Sequence, residues 1–168
     1  MTMITSIKEF KEIWREESNF TRRAIAELTD ASLRQPVTND HRTLGRISWH
    51  VIASIPDTMN RTGLKVKGPA LDSEPSPSAH EHADQYDIAS NSLMEAMSAW
   101  TDTDLDTVDD MFGERWTRRF TLLVLINHQI HHRGQMTVLM RQAGLRVPGM
   151  YGPAKEDWAQ WDMQPPVV

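Results

Sequence analysis

Cysteine is absent from this chain of 168 residues. Its absence excludes disulfide bonds, thiolate metal ligands and a cysteine nucleophile, so any bound metal must be held by nitrogen and oxygen atoms. An excess of positive charge is also missing, because 18 basic residues face 23 acidic ones and the formal net charge is −5. This balance does not favour the broad cationic surface that binds nucleic acid, and we expect no nucleic-acid partner.

Long hydrophobic runs are missing as well. The longest, Leu122 to Ile126, is far shorter than the roughly 20 residues needed to span a bilayer. The first residues show no basic stretch followed by an apolar signal core. We therefore expect a cytoplasmic protein with no membrane partner. The length suits one core, and residues 1–168 are predicted to form a single domain.

Apolar residues recur at helical spacing in four segments of the chain. The predicted helices run over about 7–28, from 44 onward with a kink at Pro56, over about 79–100, and over about 117 to 142 or 143. Capping boxes, Ser6 to Glu9 and Ser78 to Glu81, mark the starts of the first and third helices. Gly144 offers a left-handed stop for the fourth.

The segments between these helices are predicted to be irregular. Residues 65–78 are rich in proline and glycine, which indicates a surface crossover between helices 2 and 3. Residues 101–114 are acidic and end in a glycine-containing turn, which indicates a loop. Trp158 and Trp161 lie in an irregular C-terminal tail that must pack to stay ordered. Four helices joined in this way predict an all-α four-helix bundle.

The histidines of the fourth predicted helix are the most informative residues. His128 and His132 are four positions apart, which places both imidazoles on one helix face. His50 on the second helix is the best candidate for a third ligand. Catalytic zinc sites commonly use three protein ligands and keep one position open. Imidazole suits zinc, nickel, copper and iron. The alternative is that these are ordinary, partly exposed helix histidines.

His131 complicates the choice of ligands, since it is also a neighbour of His128 on the helix surface. We prefer His132, because the apolar line of the helix passes closer to it. His131 is then expected at the rim of the site. The pattern HExxH of zinc proteases is absent, since Gln129 follows the first histidine.

Two carboxylates are candidates for a catalytic base. Glu17 falls in the apolar stripe of the first helix, where a charge is costly unless it is paired or bound to a metal. Asp57 follows His50 by seven positions and shares a similar face. The alternative for both is an ordinary ion pair with an arginine such as Arg133.

Several segments together resemble the C-terminal signature of the DinB/YfiT-like family, whose name stands for damage-inducible. They are Thr117-Arg118-Arg119, Ile126-Asn127-His128, His132-Arg133-Gly134-Gln135, Val147-Pro148-Gly149 and Tyr151-Gly152-Pro153. With His50 as the upstream histidine, the resemblance covers nearly the whole chain. It implies a four-helix bundle, often a homodimer, in which His50, His128 and His132 hold a divalent metal, zinc or nickel in first place.

The resemblance also implies a choice of activities, because relatives include thiol-dependent transferases and metal-dependent hydrolases. A metal with three neutral ligands can lower the pKa of a bound water or thiol. We therefore expect a transferase that uses a low-molecular-weight thiol such as bacillithiol on a small-molecule substrate. Hydrolysis, with Glu17 as the base, is the neighbouring alternative. A metal-binding protein of the stress response without catalysis is the other.

Overall fold

The structure, a computed structural model, describes residues 4–167. Within this range the chain is mostly helical and carries one small antiparallel sheet. Its main elements are the helices α1 (Ile7–Ala26), α2 (Leu44–Asn60), α3 (Ala79–Ala96) and α4 (Arg118–Gln142), and the strands β1 (Val108–Met111) and β2 (Glu114–Thr117). The predicted helical class is confirmed, and the sheet is an addition that the sequence analysis lacked.

The helix starts follow from local capping. The Ser6 hydroxyl accepts a hydrogen bond from the backbone N–H of Glu9 over 3.1 Å. The Glu9 carboxylate reaches Thr5 rather than Ser6, so only half of the predicted box forms. Thr43 caps α2, because its hydroxyl accepts a hydrogen bond from the backbone N–H of Arg46. The predicted box at Ser78 is wrong, because its side chain makes no capping hydrogen bond.

One hydrophobic core is shared by all four helices. Helix α2 packs mainly against α3 and α4, and α1 packs against the same two helices. Several large side chains of this core are completely buried, among them Phe10, Trp14, Tyr86 and Leu93. Burial of such side chains contributes roughly 1.5–3 kcal/mol each. The pairing of α2 with α4 is the contact that matters for function, since these two helices carry the candidate ligands.

The segment 101–114 is not the simple acidic loop that the sequence predicted. It contains a short 3₁₀ helix, Asp102–Asp106, followed by β1 and the start of β2. Phe112 and Gly113 form the turn with φ of 60° and 86°, a left-handed pair typical of a two-residue hairpin. The usual sequence signal for such a turn is asparagine or aspartate before glycine. Here Phe112 occupies that position, so the sequence does not predict the turn.

The crossover and the tail behave largely as predicted. Residues 61–78 contain no helix or strand and lie against α2, where Trp49 donates to the Ser73 hydroxyl over 2.9 Å. The tail contains a 3₁₀ helix, Lys155–Trp161. Trp158 is half-buried and Trp161 is 55% exposed, so the tail packs only in part against the rest of the chain. Among residues 4–167, no helix combines the length and the apolar character that a membrane span requires.

Candidate metal centre

The structure brings His50, His128 and His132 together, as the sequence predicted. The Nε2 atom of His128 lies 3.1 Å from Nε2 of His50 and 3.1 Å from Nε2 of His132. One ring nitrogen from each of the three residues lies within 4.8 Å of the other two. His50 comes from α2, and the other two are one turn apart on α4.

A buried amide holds the two helices at the spacing that this cluster needs. Gln129 on α4 donates from Nε2 to the backbone carbonyl of Val51 on α2 over 2.9 Å. Each partner is the immediate neighbour of a cluster histidine, His128 on one helix and His50 on the other. Gln129 is 1% exposed, so this hydrogen bond forms in the interior. It fixes the approach of the two helices one residue from the site.

A second glutamine fixes the protonation of His132. The His132 Nδ1 atom lies 2.8 Å from the Gln135 side-chain oxygen, which can only accept, so the ring carries its proton on Nδ1. The lone pair of His132 is therefore on Nε2, which faces the cluster. The Gln135 amide also lies 3.1 Å from Nε2 of the exposed His131. His131 thus lies at the rim, as expected.

The electrostatics favour three neutral imidazoles. Burial, reinforced by the neighbouring His132, lowers the pKa of His50 to about 4. Burial, with His132 and His50 nearby, lowers the pKa of His128 to about 3. Burial also lowers the pKa of His132, against the opposing hydrogen bond to Gln135. At neutral pH all three rings are uncharged and can offer lone pairs.

This donor set fits a divalent metal. Nitrogens that share one ion at about 2.0–2.1 Å lie roughly 2.9 Å apart at right angles and roughly 3.3 Å apart in a tetrahedron. The two observed separations of 3.1 Å fall between these limits. Nδ1 of His128 is buried without a hydrogen-bond partner among residues 4–167. Polar atoms left in this state are costly, which is typical of a site shaped for function rather than for stability.

The histidine cluster borders two clefts. One, of about 260 Å³, is lined by His50 and His128 together with Asp57 and the aromatic side chains Phe112 and Trp116 of the hairpin. The other, of about 510 Å³, is lined by His132 with Gln135, Arg42 and apolar side chains. The sequence analysis missed the contribution of the hairpin, because its strands are short and polar. A small molecule can therefore approach the cluster from either side.

The hairpin wall of the smaller cleft is aromatic. Phe112 and Trp116 have ring centroids 5.9 Å apart, and Trp116 lies 5.2 Å from Phe120 in an edge-to-face arrangement. The Arg61 guanidinium lies over the Phe112 ring at 4.2 Å. Phe112 is 51% exposed although it is large and apolar. This surface adjoins the histidines and offers an apolar wall to a bound molecule.

The two candidate carboxylates have different positions. Glu17 is buried and accepts a hydrogen bond of 2.6 Å from Nη2 of Arg133, so the predicted alternative of an arginine pair is confirmed. The Tyr151 hydroxyl donates to the same carboxylate over 2.7 Å. Asp57 pairs with Arg61 over 3.2 Å and lines the cleft with His50 and His128. Of the two, Asp57 is the one that shares a cleft with histidines of the cluster.

The sequence of this chain is similar to those of known proteins. The model of the DinB family matches residues 3–163. The chain is 44% identical over 165 residues to the protein YrdA of Bacillus subtilis (strain 168), covering 98% of this chain and 99% of YrdA. The chain belongs to the DinB family.

Solved structures give the same result. A DinB-like protein from Bacillus cereus ATCC 10987 superposes with a TM-score of 0.86 at 45% identity, covering 89% of this chain and 100% of that protein. A second DinB-like protein, YjoA of Bacillus subtilis, superposes with a TM-score of 0.68 at 18% identity, covering 86% and 98%. The latter likeness concerns the fold alone. The fold of this chain is therefore DinB-like.

Proposed function

We propose that this protein is a divalent-metal-dependent enzyme that acts on a small molecule, with His50, His128 and His132 as the metal ligands. The single observation that carries the proposal is the convergence of three neutral imidazoles, two pairs of which have Nε2 atoms 3.1 Å apart. A divalent ion held there would supply Lewis-acid chemistry and lower the pKa of a thiol or water. Zinc and nickel are the first candidates.

The surroundings of the cluster favour catalysis over metal storage or a purely structural site. A structural zinc site usually closes with a fourth protein ligand. Among residues 4–167, the group of candidate ligands contains these three histidines and no other side chain. Two clefts reach the cluster, which leaves room for a reactant. A metal-binding protein of the stress response without catalysis is therefore the weaker proposal.

Thiol-dependent group transfer is our first proposal for the reaction. The chain has no cysteine, so the sulfur must come from a low-molecular-weight thiol. The residues of the site can orient such a reactant. Gln135 holds His132 in one tautomer, and Phe112 and Trp116 provide an apolar wall for the electrophile.

Hydrolysis is the second proposal, and one observation favours it. Asp57 lines the same cleft as His50 and His128, so its carboxylate is placed to accept a proton from a nucleophilic water. The sequence alone favours Glu17 for this role. The Glu17 carboxylate is engaged by Arg133 and Tyr151, which makes Asp57 the better candidate.

The test is conjugation of a bacterial low-molecular-weight thiol to monochlorobimane by zinc- or nickel-loaded protein. The wild-type protein is expected to react much faster than His132→Ala, which loses one ligand. The rate of His131→Ala, which loses only a rim histidine, should equal that of the wild type. Equal rates in the wild type and His132→Ala, across several thiols, would remove the transferase. Hydrolysis of activated esters, compared with Asp57→Asn, would then decide between a hydrolase and a metal-binding protein.

The assembly is also a proposal. We infer that the four helices form the four-helix bundle of the family, since α2 and α4 meet at the histidine cluster and α1 packs against α3 and α4. A homodimer is expected from the family resemblance. Light scattering on the purified protein tests it, and a monomer at all concentrations would contradict it.

A further inference from the structure

The cleft beside His132 differs in chemistry from the cleft beside His50. It has a volume of about 510 Å³, and no aspartate or glutamate lines it. Its charged group is the guanidinium of Arg42, in the loop that precedes α2. Its apolar wall is formed by Ile47, Val138 and Leu139. By contrast, the smaller cleft contains the carboxylate of Asp57.

The Arg42 guanidinium has no partner in the part of the chain that the structure describes. Within residues 4–167 its side chain makes no hydrogen bond and no ion pair. Arg46, four positions later, is engaged by the Ser73 carbonyl and by Glu74 at 3.0 Å each. The Arg42 charge is close enough to the cluster to lower the pKa of His50, His128 and His132, after the larger effect of burial. The first turn of α2 also carries no acidic residue.

Val138 makes the apolar wall unusual. This side chain is 57% exposed on the outer surface of α4, where a polar residue is the common choice. It lines the cleft together with the buried Leu139 and Ile47. A cleft lined by a cationic residue and by apolar side chains matches an amphipathic anion. His132 lies on the same cleft, so such a molecule contacts the histidine cluster.

We propose that this cleft binds a small carboxylate with an apolar body, its carboxylate paired with Arg42 and its chain against Ile47, Val138 and Leu139. This inference deepens the proposed function, because the ligand is then either the thiol or the electrophile that reaches His132. The guanidinium gives a planar, bidentate contact that a carboxylate matches and an alcohol does not. The thiol and the electrophile are the two candidate ligands, and either one could carry this carboxylate.

The first experiment uses chelator-treated protein and therefore does not depend on any metal. Protein with labelled Ile, Leu and Val methyl groups is titrated with hexanoate and, separately, with hexanol. Hexanoate is expected to shift the methyl signals of Ile47, Val138 and Leu139, with an affinity about fivefold higher than that of hexanol, as for a partly exposed charge pair. Arg42→Gln should abolish this preference, and Arg23→Gln, which changes an exposed arginine of α1, should preserve it.

Equal affinities for the acid and the alcohol in the wild-type protein would overturn the proposal. So would a preference that survives in Arg42→Gln, or shifts confined to methyl groups outside this cleft. If Arg42→Gln does not fold and its spectrum is lost, Arg42→Lys, which keeps the charge, is tested in its place. This variant should retain part of the preference if the charge is the cause.

A second experiment distinguishes the two sources of the carboxylate and separates this proposal from the metal site. Cobalt-loaded protein is titrated with 6-mercaptohexanoate and 6-mercaptohexanol, and a near-ultraviolet sulfur-to-cobalt band is followed. Saturation of the band at lower concentrations of the acid identifies the thiol as the carboxylate ligand, and equal concentrations assign the carboxylate to the electrophile. Protein that binds no cobalt but prefers hexanoate would contradict the proposed function and leave the carboxylate cleft intact.

Discussion

Two neighbouring residues of α4, His132 and Arg133, belong to polar clusters of opposite kinds. Arg133 is 1% exposed and is fully engaged: it donates to the Glu17 carboxylate, the Glu17 carbonyl and the Thr21 hydroxyl. His132 joins two other imidazoles whose lone pairs face one another, with one buried nitrogen of His128 left unpaired. The first cluster balances its charges within the protein. The second has a ligand arrangement that could hold a metal ion.

This difference teaches how burial separates structural from functional polar groups. A buried ion pair is tolerated when its charges are matched and its hydrogen bonds are made. The Glu17 and Arg133 pair meets both conditions, and Tyr151 closes it from the tail. The histidine cluster is different: its rings are neutral, and Nδ1 of His128 has no hydrogen-bond partner among residues 4–167. Substitutions in the two clusters should therefore affect different properties.

The largest expected effect is on metal binding. His128→Ala removes the central imidazole of the cluster, and stoichiometric zinc or nickel binding should be lost completely. The helical circular dichroism should persist, because the core of the four helices does not include the cluster. His131→Ala is the matched control and should keep full metal content. Retention of one ion per chain in His128→Ala would contradict the assignment of ligands.

The next effect is on stability, in the other cluster. Arg133→Met leaves the Glu17 carboxylate buried without its cation, and the free energy of unfolding should fall by about 3–5 kcal/mol. Urea denaturation measures this value. Arg23→Met, at an exposed position of α1, should change it little. The double variant Glu17→Gln/Arg133→Met should recover part of the loss, and no recovery would show that the pair is not the cause.

A smaller effect on both properties is expected at Gln129, which joins α2 to α4 beside the histidines. Gln129→Leu removes the hydrogen bond to the Val51 carbonyl and should cost about 1–2 kcal/mol of unfolding free energy. Metal affinity should also fall about tenfold, as for other residues that orient metal ligands. Competition with a chromophoric chelator measures the affinity. The control Gln85→Leu, on α3, should leave the metal affinity unchanged. Unchanged metal affinity in Gln129→Leu would show that Gln129 stabilises the fold without orienting the ligands.

The smallest effect is a dependence of stability on pH. Burial lowers the pKa of His82 below its ordinary value of 6.5, against the opposing hydrogen bond to the Ser76 carbonyl. Below about pH 6.5 the unfolded chain therefore binds a proton that the folded chain does not. Stability is complete above this pH and decreases as the pH falls. Denaturation at several pH values should show a weaker decrease in His82→Asn than in the wild-type protein. Equal pH dependence in the variant and the wild type would contradict this role of His82.

The sequence predicted the helical part of the site well, for a physical reason. Helical spacing places His128 and His132 on one face whatever the rest of the fold does, and Thr43 marks the start of the helix that carries His50. The boundaries were less exact: α1 ends at Ala26 rather than Leu28, and α3 ends at Ala96 before a 3₁₀ turn.

The residues that the sequence did not place lie where tertiary contacts decide. The hairpin of Phe112 and Trp116 has four-residue strands and a turn without the usual asparagine, so no local signal marks it. The choice between Glu17 and Asp57 depended on which carboxylate an arginine leaves facing the cluster. Both have arginine partners, and only the packing of the helices decides which one borders the cleft.

The most direct test of the central claim is X-ray absorption spectroscopy of protein loaded with zinc and dialysed. The account predicts one ion per chain, with three imidazole nitrogens at about 2.0–2.1 Å and a spectrum that loses imidazole scattering in His132→Ala. Substoichiometric zinc after dialysis, or a spectrum with fewer than three imidazole ligands in the wild-type protein, would contradict it.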